Sequence, residues 1–470
     1  MTKLPSQLKL LCLLALIILL NSCETMTSQL AKSQALYQTG QYAAAAAVPK
    51  VPSNPSKALL PNLYRASSHL MAAQYGECLA DFSAAEDGLQ AQDASINWFD
   101  HYLGRTYDGL MLQTYQALVY LILGQPDRAR VALNRLEERQ GAAARRNQRA
   151  IAKAQEEIQK ERSQAGNAAA VASLDQANQN AKNKQQLSEY QHLLDQWGAY
   201  EDFASPAGSF LSGVFRLLYM EDRSDADKAV FQLRKTYGMT NSEPARQLYE
   251  LAEQRAAGKL PRNAMDDYVV VLFENGLGPF KVERRYEIFI PLSRPVYAGI
   301  ALPVLVEQPA AYPYLEVRDG ASSLGRTLPL CSIDRLVATE FRKELPWIIA
   351  SAVTKAVIKT TLQVVAMEVA SQNYGHEAAF LVGLVGSGIS YATTNADVRG
   401  WNLLPKEYQA AVVQRPSSGR LSLTAPGVAS PFVQVELPPG PSLVYVKIPV
   451  AGLPALVTVT GPRASAPQQN

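Results

Sequence analysis

The residue whose type and position most directly suggest a reaction is Cys23. Two lysines, Lys3 and Lys9, precede an unbroken apolar stretch from Leu10 to Leu20, and the chain then reads Leu20-Asn21-Ser22-Cys23. A basic start, a short apolar stretch and a small residue at the cut form the order of a secretory signal. The stretch is too short for a resident membrane span, which takes about 20 residues. Other chemistry is hard to find. The sequence has no metalloprotease histidine pair, no phosphate-cradling glycine loop ending in Lys-Ser or Lys-Thr, no paired CxxC and no GxSxG elbow. Gly386-Ser387-Gly388 is flanked by apolar residues, and helix packing explains it. The only histidines are His69, His101, His192 and His376, without clustered carboxylates, and read as solvated or packed side chains. Asp266-Asp267 precedes a strand, where capping or solvation accounts for it. No catalytic residue, cofactor or metal ligand is therefore expected, and the chain is read as a non-enzyme. Triads assemble in space rather than in sequence, so what is absent is a local motif.

A small residue followed by Cys, directly after the apolar core, resembles the lipobox of bacterial lipoproteins. The resemblance implies a diacylglyceryl group on the Cys23 sulfur, cleavage between Ser22 and Cys23, and acylation of the new amine. Three acyl chains, at about 0.8 kcal/mol per buried methylene, make a durable anchor. Glu24 follows, where an Asp retains many enteric lipoproteins in the inner membrane. The implied location is the outer membrane, on its periplasmic face.

Composition is that of a globular protein: 47% hydrophobic and 19% charged residues. A net charge of +3, which shrinks when the two leader lysines are removed, argues against a nucleic-acid partner. Beyond Cys12 in the leader and Cys23, Cys78 and Cys331 remain. They fall in different predicted domains and read better as small buried hydrophobes than as a disulfide.

The residues from 27 to about 262 have the periodicity of helices in pairs. Ala35-Leu36-Tyr37 leads to Gly40-Gln41-Tyr42. Leu63-Tyr64-Arg65-Ala66 leads to Gln74-Tyr75, and Tyr115 to Leu121 leads to Gly124-Gln125. Each unit is an amphipathic helix, a short turn and a second helix that begins with small residues. The pattern is similar to tetratricopeptide (TPR) hairpins, with irregular spacing. Such units stack and leave a concave surface for partners. Between 134 and 196 the chain is rich in Ala, Gln, Arg, Lys and Glu, all good helix formers. This predicts a long helical hairpin turning at Gly166-Asn167, with a thin seam of Ile151, Ile158 and Ala165. Two arms of ~30 residues would project ~45 Å. Pairing resumes from Trp197.

From Tyr268 the period changes to that of strands. Runs at 268–273, 286–290, 296–306 and 314–317 are strand candidates. Helices are predicted over 334–345, 347–370 and 378–393, packed on the sheet rather than crossing a membrane, since Lys355, Lys359 and Glu368 are costly in hydrocarbon. Strands return at 408–414, 421–424, 432–437, 443–448 and 456–459. The reading is multidomain. The leader is 1–22, and a TPR-like all-α region spans 23–133. The hairpin insertion is 134–196 and further helices occupy 197–262. An α+β domain at 263–398 ends in a small β module at 399–463, and 464–470 is a polar tail.

Several segments together resemble a family of uncharacterised bacterial TPR-like envelope lipoproteins with a C-terminal α+β region. They are Tyr107-Asp108-Gly109-Leu110-Met111, Thr114-Tyr115-Gln116-Ala117-Leu118, Ala129-Arg130-Val131 with Asn134-Arg135, and Phe203-Ala204-Ser205-Pro206 before Phe210-Leu211-Ser212-Gly213. In the later half they are Phe273-Glu274-Asn275-Gly276 with Pro279, and Ala396-Asp397-Val398-Arg399-Gly400-Trp401 with Leu404-Pro405. Ser205 departs from the pattern, which has Asn before the Pro. The resemblance implies an envelope lipoprotein and no particular activity. It sets the expected function as a protein-interaction scaffold, with regulation of a peptidoglycan synthase as the alternative and hydrolysis as a distant third. The partners expected are the membrane, through the lipid, and another envelope protein. Trp401 and Leu404 are read as packing where the last helix meets the later strands, and Asp397 and Arg399 as capping or pairing near that junction; the alternative there is a binding surface, and Tyr107, Tyr115, Arg130, Arg399 and Trp401 are the candidate partner-binding residues, because aromatic and arginine side chains are typical anchors.

Overall fold

A computed structural model describes residues 25–94, 102, 104–164, 168–195, 197–200, 204–261, 263–291, 296–374, 395–428 and 433–463. The leader, Cys23, Gly166-Asn167, Phe203, the 378–393 segment with Gly386-Ser387-Gly388, His101 and His376 lie outside these residues. The described chain has a helical N-terminal part followed by a C-terminal part of mixed sheets.

The first helices are α1 (Met26–Gln38), α2 (Tyr42–Ala47), α3 (Pro55–Met71), α4 (Tyr75–Ala94), α5 (Thr106–Ile122) and α6 (Pro126–Gln164). The turns between partners are closed alike. Gly40, Ala73 and Gly124 take positive φ. The next residue, a glutamine each time, donates its backbone N–H five residues back: Gln41 to Leu36, Gln74 to His69 and Gln125 to Tyr120, at 2.8–2.9 Å. That is the Schellman closure, which satisfies carbonyls the helix end would orphan. The Gly-Gln and Gln-Tyr signals thus have a backbone cause.

After α7 (Ala168–Gln179) and α8 (Ala181–Asp195) come α9 (Pro206–Leu218), α10 (Arg223–Thr240) and α11 (Glu243–Ala256). Ser205 caps α9 by accepting from the Gly208 N–H at 3.1 Å. Ser and Asn cap about equally well, so Ser rather than Asn before the proline leaves the local structure intact. Close approach of helices rests on two glycines. A Cβ on Gly213 would lie 2.5 Å from Leu233 Cγ, and one on Gly208 2.7 Å from Leu136 Cδ2.

The arm formed by α6, α7 and α8 is docked rather than projecting. Asn183 is buried, donates to the Phe289 carbonyl at 2.9 Å and accepts from the Phe289 N–H at 2.8 Å. It thereby satisfies part of a sheet edge that would otherwise lack partners. The Tyr190 hydroxyl donates to the Pro303 carbonyl at 2.5 Å, and its ring meets Tyr286 edge-on at 5.6 Å. The expected seam supplied Ile158, which is buried. The tertiary cover comes from the hairpin β2 (Phe280–Ile290) and β3 (Val296–Val306) and from α12 (Ile333–Tyr374).

The central sheet has the order β11-β10-β1-β7-β6. Its strands are β1 (Tyr268–Asn275), β6 (Leu328–Ser332), β7 (Glu407–Gln414), β10 (Ser442–Ile448) and β11 (Leu456–Thr460). A second sheet joins β4 (Glu316–Asp319) and β5 (Ser322–Arg326) to β8 (Arg420–Thr424) and β9 (Val433–Glu436) in the order β5-β4-β8-β9. Val270, Leu272, Leu443 and Tyr445 face the helices, while Val269, Val271, Val444 and Val446 face the second sheet. The central sheet is therefore the middle of three layers, which explains why β1 and β10 read as continuous apolar runs.

Two expectations need correction. The strands at 399–463 form no separate module: β10 pairs parallel with β1 and β7 antiparallel with β1, while β8 joins β4. Sequence order hid this, because a parallel pair joins strands far apart in the chain. The helices predicted at 334–345 and 347–370 are one, α12, which runs through Pro346. That proline is exposed, so the backbone carbonyl it leaves unpaired can be hydrated.

Candidate functional site

One row of side chains crosses the helix-facing side of the central sheet. Lys447 on β10 stands opposite Glu274 on β1, and Glu274 opposite Tyr408 on β7. The Lys447 ammonium meets Glu274 Oε2 at 2.5 Å and donates to the Tyr115 hydroxyl at 2.8 Å. Tyr115, from α5, donates to the same carboxylate oxygen at 2.9 Å, and Tyr408 donates to the other at 2.6 Å. All four are buried. Burial, first, and the neighbouring Glu274, second, hold the hydroxyls of Tyr115 and Tyr408 well above the usual tyrosine range, so both remain donors. An ion pair this deep survives because every oxygen has a partner. Around it, Phe82 stacks on Tyr115 at 5.8 Å, and Trp401 lies 5.6 Å from Tyr115 while donating to the Ser67 hydroxyl at 2.8 Å.

A second polar cluster lies where α5 begins. Glu340 on α12 accepts from the Thr106 and Tyr107 N–H groups at 2.7 and 3.2 Å, so a carboxylate from a distant helix caps α5. Arg105 pairs with Glu344, one turn further along α12. Asp108 reaches back to the Arg105 N–H at 2.7 Å and accepts from the Tyr102 hydroxyl at 2.5 Å. Burial pushes Glu340 up to about 7, with Glu344 adding to it, and Asp108 up to about 6. Lys281 on β2 lies over the Phe341 ring, and burial, first, and the Arg105 guanidinium, second, lower it to about 8. It lines a cavity with Tyr107, Pro279, Trp401 and Asn402. The free volume of about 10 Å³ is room for one water.

The candidate partner-binding residues fall into three places. Tyr115 and Trp401 are in the first cluster, at 1% and 3% exposure, and Tyr107 is in the second, at 5%. They are packed in the core and offer no anchor to a partner: Trp401 packs, as its structural reading has it, and the partner-binding alternative is corrected for all three. Arg130 is tied to Asp225 at 2.7 Å and Glu221 at 2.8 Å and lies over the Phe215 ring, joining α6 to α10. Arg399 is held by Asp397 at 2.7 Å. Glu274 and Lys447 were not singled out from the sequence. The signal was there: each is the single charged residue in an apolar strand, Val269 to Phe273 before one and Leu443 to Val446 before the other.

Among the described residues no group of three or more His, Cys, Asp or Glu side chains is placed to hold a metal ion. His69 is paired with Asp81 at 2.9 Å and His192 with Asp195 at 2.9 Å. Cys78 and Cys331 are free and buried, and burial raises both thiols. Such thiols are poor nucleophiles. What the two polar clusters do is join elements distant in sequence: α5 to β1, β7 and β10 in one, and α5 to α12 in the other. No protein-family model, curated protein or solved structure matches this chain.

Proposed function

We propose that the chain is a lipid-anchored envelope protein that works as an interaction scaffold at the periplasmic face of the outer membrane. The observation that carries this is Leu20-Asn21-Ser22-Cys23 directly after the apolar core, which supplies the anchor. The helical part, with its TPR-like succession of paired helices, is the partner-binding half. Its surface, rather than the buried tyrosines and Trp401, makes the contact. Val131 on α6 and Phe231 on α10 are 50% and 55% exposed, an unusual use of apolar side chains on charged helices and the first residues to replace.

The test is crosslinking in the native cell, with capture of the tagged protein and mass spectrometry. Cys23→Ser abolishes the acyl mass and releases the protein from outer-membrane fractions, and Val131→Asp with Phe231→Asp depletes one dominant envelope partner. An unmodified Cys23 in the intact mass sinks the anchor. Equal recovery of all partners with the surface variant sinks the helical contact. If the recovered protein is a cell-wall synthase, the scaffold regulates peptidoglycan synthesis.

A further inference from the structure

The folded body begins almost at the residue read as its anchor. Thr25 caps α1 by accepting from the Ser28 N–H at 3.2 Å. Gln29 and Leu30 are already buried, and Ser33 and Tyr37 follow on the same helix. Only Glu24 separates Cys23 from Thr25. The two steps from Cys23 to Thr25 span about 7 Å when fully extended. A bilayer that holds acyl chains on Cys23 therefore lies within about that distance of the start of α1. The other end of the helix is fixed to the C-terminal half. Gln38 donates to Gln308 at 3.2 Å, and Asn402 donates to Gln34 at 3.2 Å. What the anchor does to α1 is passed to both halves.

The surface beside Thr25 suits that neighbour. Gln29, one turn along α1, accepts from the Lys50 N–H at 3.0 Å, which holds the loop 48–54 next to the start of the helix. Val51 in this loop is 41% exposed. Pro49, Pro52 and Pro55 recur at every third position, and each fixes its φ, so the loop is stiff. Lys32, Lys50 and Lys57 are exposed. From Thr25 to Gly76 the chain contains no Asp or Glu, so nothing in this segment neutralises them. Cations without local carboxylates complement the phosphates of lipid headgroups.

We infer that the start of α1 and the loop 48–54 form the membrane-facing end of the protein, with Val51 at the lipid interface and Lys50 at headgroup level. The occupant is the bilayer rather than another protein because the connection to Cys23 leaves no slack for a second body between them. The inference rests on acylation of Cys23, and it adds an orientation to the anchor.

The full-length protein with Val51→Cys is purified from a bacterial envelope and labelled there with an environment-sensitive dye; Cys78 and Cys331 are buried. It is placed in phosphatidylethanolamine–phosphatidylglycerol vesicles that contain lipid spin-labelled near the headgroup. A control carries the dye through Phe231→Cys, an exposed site on α10, which packs on α9 and α11 and not on α1. The inference expects blue-shifted emission and loss of most of the signal to lipid quenching at 51, with little at 231. Inserting about 20 Gly and Ser residues after Glu24 adds a flexible reach of ~25 Å and should lower the quenching at 51 to that at 231. In acylated protein, quenching at 51 no greater than at 231 overturns the inference and leaves the anchor standing. Quenching at 51 that the insertion leaves unchanged also overturns it, because something other than the short connection would then hold this face. Intact mass of the same samples reports the acyl chains, and an unmodified Cys23 removes the anchor and this orientation together.

Discussion

At the scale of single residues, the fold depends on charges placed where charge is expensive. Lys447 and Glu274 are 2% and 0% exposed. Removing one partner leaves the other buried and short of a bond, so Lys447→Met should cost about 3–5 kcal/mol. Replacing both, as Lys447→Met with Glu274→Leu, should cost less than the sum of the two single changes. Denaturant melts of the four proteins test this, and strict additivity would mean that the pair is not coupled. Glu340 gives a pH dependence of known sign. Its folded value of about 7 lies above its ordinary 4.5, so the folded chain holds that proton more tightly than the unfolded chain. Its stabilising contribution is full below 4.5 and is lost as pH rises through 7. Asp108 and Asp334, raised to about 6, act in the same direction. Lys281 acts only above about 8, and Asp397, which is lowered, only below its ordinary 3.8. Glu344 and Arg105 face the same carboxylate from α12 and from the start of α5. The melting temperature should therefore fall between pH 5 and 7.5, and Glu340→Gln should flatten that fall. An unchanged slope in the variant would place the titration elsewhere.

Among the elements, the arm matters most. Its composition predicts helix, and α6, α7 and α8 are helical, yet the alanine-rich seam says nothing about what they lie against. The answer is in β2 and β3, which meet the arm through Asn183, Tyr190 and Tyr286. Deleting 168–195 should leave the central sheet protected and speed amide exchange in 280–306, most at Phe289, whose N–H and carbonyl both lose Asn183. Exchange in that hairpin equal to the intact protein would restore the view of the arm as an appendage. α12 is the reverse case. Its periodicity was legible and Pro346 suggested a break, but a proline whose helix face is solvated does not stop a helix that is packed on its other side.

For the whole molecule, one apolar core runs from Leu30 through the helices to Leu456 on β11, shared by the helical half and the central sheet, and a second lies between the two sheets. Halves that share a core lose it together. Unfolding should give coincident transitions by far-ultraviolet circular dichroism, which reports the helices, and by Trp401 fluorescence in a chain with Trp98, Trp197 and Trp347 replaced by Phe, which reports the junction. A substantial early loss of helix with Trp401 undisturbed would show that the helical half unfolds alone.

Local physics was readable in one dimension. Turns closed by Gly40 and Gly124, the cap at Ser205, the paired helices and the alternation from Tyr268 onward all arise from residues within a few positions of one another. The quoted motifs were legible as motifs, but their meaning was not. Glu274 is 159 residues from Tyr115 and Trp401 lies further along still, and only the tertiary structure brings the three together. The exchange of strands between the two sheets, the capping of α5 by Glu340 and the burial of aromatic residues expected at a surface were likewise decided there. The physical reason is common to all three. Each depends on which apolar faces cover one another, and that is settled by burial summed over the whole chain, whereas periodicity reports only that a face exists.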